Sequence, residues 1–321
     1  PTRKTWKGGE SGTFSEAANW DNGAPVGGDT AVINSKVALS SETFDFGSGG
    51  IVFDLNNETT CNVDFTGAGM LSVAGRGDSK VLIQQVNSSH TGGTRIQRGQ
   101  LKKGSGCSWI GTQPVTICRY GDEIVRLDLA GGTLNNGIVI EESMPAAAWP
   151  IWCRNQATIK GDISAQGDFG IAAGYGQLTV DGGVSAPGCI MTARAHADKI
   201  VFNSTVDAGL VKTGTYDVVV NSACSGSENA LKVVQGTLEL GANASWAGRD
   251  VSVDGGVDGT AKLVLKGAEN LASTAVVRIS GGAVLELGAN ITVSELWIDG
   301  VRQEDDSYSA GHPSGRFSGS G

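Results

Sequence analysis

The sequence predicts an all-β chain, a right-handed parallel β-helix (solenoid) with an aromatic N-terminal cap, and three observations carry that expectation. Short runs of β-branched and aliphatic residues recur along the chain and stop at Gly, Asn or Asp. Glycine is abundant, 49 of 321 residues against 7 prolines, without the Gly-X-Y triplet of collagen. Segments also echo one another, which marks an architecture built by stacking one unit on the next. Hydrophobic residues supply 40% of the chain and charged ones 18%, a balance that argues against disorder.

The strand-like runs are Ile51 to Leu55, Val81 to Ile83, Val125 to Leu129, Ile138 to Ile140, Leu178 to Val180, Ile200 to Phe202, Val218 to Val220, Lys262 to Leu265 and Val276 to Ile279. Helical periodicity is confined to Ser15 to Ala18 and Glu269 to Ser273, each enough for a turn or two. IQRGQLKKGSGCSW from residue 96 aligns without gaps with VVQGTLELGANASW from residue 233, an offset of 137. The alignment matches Gly99 with Gly236, Leu101 with Leu238, Gly104 with Gly241 and Trp109 with Trp246. LELGAN occurs at Leu238 to Asn243 and again at Leu285 to Asn290, and TVDGG ending at Gly183 echoes SVDGG ending at Gly256.

Strands this short cannot bury an inward face alone, so each coil must pair with the next, with glycine supplying the left-handed backbone of the corners at low steric cost. Two antiparallel β-sandwiches are the competing architecture and would bring more regular hairpin turns. No linker rich in Pro, Ser or charge divides the chain, so a single domain is expected over 1–321. Residues 1–30, with Trp6, Phe14, Trp20, Pro25 and Asp29, form the cap; residues 31–300 form the coils; residues 301–321 are a Gly- and Ser-rich extension with little to bury. The chain opens at Pro1 without a charged-then-apolar leader, which reads as a mature or trimmed chain.

A net charge of −9 argues against the basic surface of a nucleic-acid binder, and no apolar run approaches the roughly 18 residues of a membrane helix, so membrane insertion is not expected. Cys61, Cys107, Cys118, Cys153, Cys189 and Cys224 form an even set with no CxxC pair and no histidine at ligand spacing, which argues against zinc. They are the disulfide candidates of an exported protein, with pairings left open and buried free thiols as the alternative. Gaps of 35, 36 and 35 residues separate the last four and hint at an architectural period.

Candidate chemistry is sparse. Asp122, Glu123, Asp128, Glu141 and Glu142 form the densest central carboxylate group, beside Arg119, Tyr120 and Arg126. Stacked strands would let Arg126, Asp128 and Glu141 share one face, although a solvated face outside Val125, Leu127 and Leu129 explains the same pattern. His90, His196 and His312 are too scattered to propose a triad, and GRGDS at Gly75 to Ser79 reads as a turn between strands. The acidic stretches Asp250 to Asp258 and Glu304-Asp305-Asp306 lack the nonapeptide Ca²⁺ repeat. No catalytic, cofactor-binding or metal-ligating residue is therefore assigned. Trp109 and Trp246 sit at matched repeat positions and read as structural corners, whereas Trp149 and Trp152, in AAAWPIWC, break the pattern and are the candidate sugar-binding residues.

HTGGTRIQRGQLKKGS, at His90 to Ser105, resembles the unit of bacterial surface proteins that carry autotransporter-associated β-strand repeats: Tyr-Thr-Gly-Gly-Thr, a strand, then Gly-Thr-Leu and a second strand. Val234 to Gly241 matches its later half. The opening, Trp6 through Asn19-Trp20 to Gly28-Asp29-Thr30-Ala31, and the close, LWIDGVRQEDDSYSA at Leu296 to Ala310, are similar to the ends of such passenger-type β-helices. The resemblance implies a bacterial, extracellular or cell-surface, non-enzymatic stalk or adhesin. On this reading the expected partners are a second copy, associated head to tail in a filament, or a surface polysaccharide or host glycan. A polysaccharide lyase or glycoside hydrolase on the same fold is the alternative expectation.

Overall fold

The computed structural model describes residues 2–75, 80–119, 121, 123, 125–145, 148–225, 230–256 and 259–319. The chain is all-β, a parallel β-solenoid of about 12 turns, and it divides into two compact units, Pro1–Ser164 and Ala165–Gly321. GRGDS falls almost wholly on residues 76–79, and Tyr120, Asp122, Ala146, Ala147 and Asp258 likewise lie outside the described residues. No helix among the described residues is long and apolar enough to cross a membrane.

In the first unit each coil visits three faces. The first face carries Arg3–Thr5, Thr30–Ile33, Gly50–Phe53, Met70–Ala74, the start of Thr94–Lys103, Val115–Ile117 and Ile138–Ile140, paired in parallel in that order. Residue 30 opposes residue 50, which opposes residue 70, so these coils take 20 residues each. The second face holds Ala38–Asp45, Thr59–Thr66, Val81–Gln84, the end of Thr94–Lys103, Val125–Leu129 and Ile151–Cys153. The third is made of the short strands Gly132–Leu134 and Ala157–Ile159.

Alternation explains these strands. In Thr59–Thr66 every odd position is buried and every even one half-buried, which a period of two produces when one face meets a core. Register then stacks like on like: Ile33, Phe53, Val73, Ile96, Ile117 and Ile140 oppose one another coil after coil, all fully buried. Each such side chain contributes roughly 1.5–3 kcal/mol on leaving water.

The N-terminal aromatics close this core. Trp20 and Phe14 are fully buried with ring centroids 4.9 Å apart, and Trp6 meets Trp20 edge-on at 5.3 Å. The Trp20 indole N–H donates to the Phe14 carbonyl at 2.7 Å, so burying the polar atom costs little. Phe14 continues the stack onto Phe44 and Phe65. The cap and the first coil are the same segment, since Arg3–Thr5 and Ser11–Gly12 already pair with the strands that follow them.

The second unit repeats the plan. Val184–Ala195 and Val206–Thr213 each bend from one face to the next, with a register shift between Ser185 and Ile190. A ladder of short strands follows, in which Leu178, Ile200, Val218, Leu238, Leu263, Leu285 and Phe317 oppose one another and are all buried. Phe317 corrects the expectation that the last segment has little to bury: Phe317–Gly319 returns to pair with Val284–Leu287.

Two further sequence expectations are corrected. The expected disulfides are absent: all six cysteines are free thiols, Cys189 half-buried and the other five buried. Burial pushes Cys61 and Cys224 up to about 12 and Cys107 and Cys118 up to about 11, so these thiols stay protonated and pack as small apolar side chains. Their 35-residue spacing is not the coil length either, since residue 71 opposes residue 94 and residue 94 opposes residue 115.

The long repeat is also out of phase with the coil. Ile96 lies on the first face and Leu101 on the second, whereas their matches lie one face further on, Val233 at the end of Leu231–Val233 and Leu238 on the short-strand ladder. What repeats is strand, glycine corner, strand. Trp109 and Trp246 are consequently not equivalent, and they are 43% and 1% exposed.

Candidate functional site

The outer side of the first face in the first unit is a cleft. Because Ala31, Ile51 and Leu71 point inward, the positions after them point outward, and register lines up Thr5, Val32, Val52, Ser72, Arg95 and Thr116. Strand Thr94–Lys103 then slips register between Val73 and Ala74, so that Ala74 opposes Arg98. The bulge is closed by Gly99 at φ 72°, a conformation that favours glycine, and it brings a second arginine to the rim beside Arg95. In the next coil Cys118 and Arg119 follow Val115–Ile117 at the same edge.

The cleft has a volume of about 1070 Å³, and Arg3, Arg95, Arg98 and Arg119 all line it, with Asp54 as the one lining carboxylate among the described residues. Four strand steps separate Arg3–Thr5 from Thr94–Lys103 along the ladder, about 19 Å at the usual strand spacing. Arg95 forks onto Glu141, with Nη1 to Oε1 at 3.1 Å and Nη2 to Oε2 at 2.6 Å, both side chains about one-third exposed. Arg119 donates from Nε to the Gly121 carbonyl at 3.1 Å and from Nη1 to that of Ser143 at 3.3 Å, which fixes its guanidinium against the wall. Burial keeps the Cys118 thiol, another lining group, protonated. Guanidinium groups present their donors in a fork that matches carboxylate or sulfate oxygens, as Arg95 does with Glu141.

The residues expected from sequence lie elsewhere. Trp149 is buried with φ 42°, and its carbonyl accepts from Arg126 Nε at 3.3 Å. Trp152 is half-buried, and the Arg126 guanidinium lies 5.0 Å from its ring centroid. Of the two candidate sugar-binding residues, Trp149 is thus buried and Trp152 half-buried with a guanidinium over its ring.

Asp128, Glu141 and Arg126 do not share one face. Arg126 and Asp128 are on the second face, whereas Glu141 follows the first-face strand Ile138–Ile140. Asp128 is 1% exposed, and its Oδ2 accepts from Arg154 Nε at 2.9 Å and Nη2 at 2.7 Å. Each carboxylate is thus clamped by its own arginine. His90 is buried under Phe46 with Nε2 3.0 Å from Thr94 Oγ1, and burial holds its ring below the ordinary histidine range, so it is a neutral corner residue.

Sequence reasoning missed the arginine set because Arg3, Arg95, Arg98 and Arg119 are scattered, and only the coil length brings them onto one edge. It also missed two buried lysines. Lys103 Nζ donates to the carbonyls of Gly104 at 3.1 Å and Gly131 at 2.7 Å. Lys212 Nζ donates to Thr213 at 2.9 Å, Gly214 at 2.6 Å and Gln235 at 2.7 Å. The signal lay in the Gly-Thr-Leu motifs at Gly132 and Gly236, since each lysine binds the carbonyl just before one of them. No family model, curated protein or solved structure matches the chain at the significance required.

Proposed function

We propose that the protein is a non-enzymatic, extracellular adhesive β-helix that holds a ligand on its outer surface without transforming it. The observation that carries this reading is how its ionisable groups are used. Asp128 is clamped by Arg154 and Glu141 by Arg95, while Lys103 and Lys212 are bonded to corner carbonyls. Acid–base chemistry needs paired groups facing one reacting bond. These face their structural partners instead, and the cleft of the first unit is lined by guanidiniums, which stay charged whether or not, like Arg95, they also hold a structural partner.

Location at the cell surface and head-to-tail association through the strand edges of the end coils belong to the same proposal. Its test is adhesion. Beads coated with the chain should be retained on polysaccharide-bearing surfaces at a level that uncoated beads do not reach, and free chain should compete them off. Equal retention of coated and uncoated beads overturns the adhesive reading.

A further inference from the structure

We infer that the arginine-lined cleft of the first unit is a binding site for a linear polysaccharide that carries carboxylate or sulfate groups, with the sugar chain running across the strands along the ladder. This rests on the adhesive reading and gives it a ligand class. Three observations carry it. First, arginine dominates the cleft in a protein of net charge −9: among the described residues Arg3, Arg95, Arg98 and Arg119 line it with Asp54, and of these Arg95 is paired with Glu141. A local excess of positive charge concentrates anions there.

Second, the arginines are arranged in a row. Arg3 and Arg95 lie on strands four ladder steps apart, and Arg119 is one coil beyond Arg95. A small anion engages one such site, whereas a chain with a charge on successive units engages several, and linked contacts raise affinity without new chemistry. Third, the remaining lining suits a sugar. Thr30, Asn56 and Gln97 offer hydroxyl and amide groups, and the half-buried Val52 offers an apolar patch for the C–H face of a pyranose ring. Nucleic acid is the other linear polyanion; among the described residues no aromatic side chain lines the cleft to stack bases, and the net charge of −9 opposes a nucleic-acid surface.

The test uses the full chain and affinity electrophoresis in gels containing polygalacturonate, heparin, neutral dextran or single-stranded DNA. Retardation by polygalacturonate or heparin, relieved by salt and absent in dextran, is the expected result; the two gels distinguish carboxylate from sulfate. Arg3→Ala/Arg98→Ala, checked for an unchanged thermal melt, should weaken binding by about tenfold or more, because two charge-assisted contacts are lost. Lys232→Ala, an exposed lysine of the second unit, should leave it unchanged. Asp54→Asn should strengthen it, a gain that misfolding cannot produce.

Retardation that is the same in the double arginine variant overturns the inference, as does stronger retardation by DNA than by either polysaccharide. Retention of coated beads on neutral polysaccharide, without retardation by the anionic ones, leaves the adhesive reading standing and removes this site from it.

Discussion

Lys212 reaches from one coil to the next and donates its ammonium proton to the carbonyl of Gln235 at 2.7 Å, immediately before the Gly-Thr-Leu corner that starts Thr237–Leu240. The same ammonium also holds Thr213 and Gly214. Gly236, at φ 66°, has to be glycine here: a Cβ would lie 2.5 Å from the Gly214 oxygen and 2.9 Å from the lysine nitrogen. A solenoid corner turns its carbonyls toward the core, and the lysine satisfies three at once.

Removing that side chain should therefore cost far more than removing a surface cation. Lys212→Met strands three interior carbonyls and should lower stability by about 3 kcal/mol or more. Lys262→Met, which removes a half-exposed pair with Glu286, should cost about 1 kcal/mol or less. Chemical denaturation of both variants measures the difference, and equal losses would remove the anchoring role.

The strands were legible in sequence where an apolar run is short and bounded by turn residues. Val125–Leu129, Ile138–Ile140, Leu178–Val180, Ile200–Phe202, Val218–Val220 and Lys262–Leu265 fall on the expected residues. Thr59–Thr66 escaped notice because Thr, Asn and Asp alternate with its inward side chains, and Val184–Ala195 because it bends over a corner through Pro187 and Gly188. The cleft was not legible, since its arginines meet only through inter-coil register. The repeat misled as to Trp109 and Trp246 because it records a strand-and-corner unit, which can start on any face.

The N-terminal aromatic cluster should behave as a plug. Trp20→Ala empties a fully buried site between Trp6 and Phe14 and should cost about 3–5 kcal/mol, read by thermal or denaturant melts. A loss under about 1 kcal/mol would mean that the core does not depend on this closure.

The thiols should be silent in the native state. Cys189 alone is not buried, so a thiol reagent should label about one cysteine rapidly and the remaining five only on unfolding. Burial also raises the Cys189 thiol, which should make even that reaction slower than with free cysteine. Rapid labelling of several sites would contradict the packed core.

Acid should loosen the cap through Asp29. Hydrogen bonds from the Thr2 N–H at 3.0 Å and the Val26 N–H at 3.2 Å hold its carboxyl below the ordinary 3.8. A lowered folded value means that the unfolded chain takes up the proton first. The contribution is therefore fully present above 3.8 and is lost as pH falls through the lower folded value. Asp29→Asn should flatten the acid side of the stability profile and leave the alkaline side unchanged; an identical acid limb in both proteins would exclude this carboxylate.

The central claim is that the surface holds its ligand and does not cut it, and a prolonged incubation with a panel of acidic and neutral polysaccharides tests it most directly when bound protein and released ends are measured in the same samples. The account predicts protein bound to an acidic member of the panel, with reducing ends and unsaturated sugar residues staying at the level of protein-free controls. Release of either product in proportion to protein and time would contradict it and make the arginine cleft the place to look for a lyase or hydrolase.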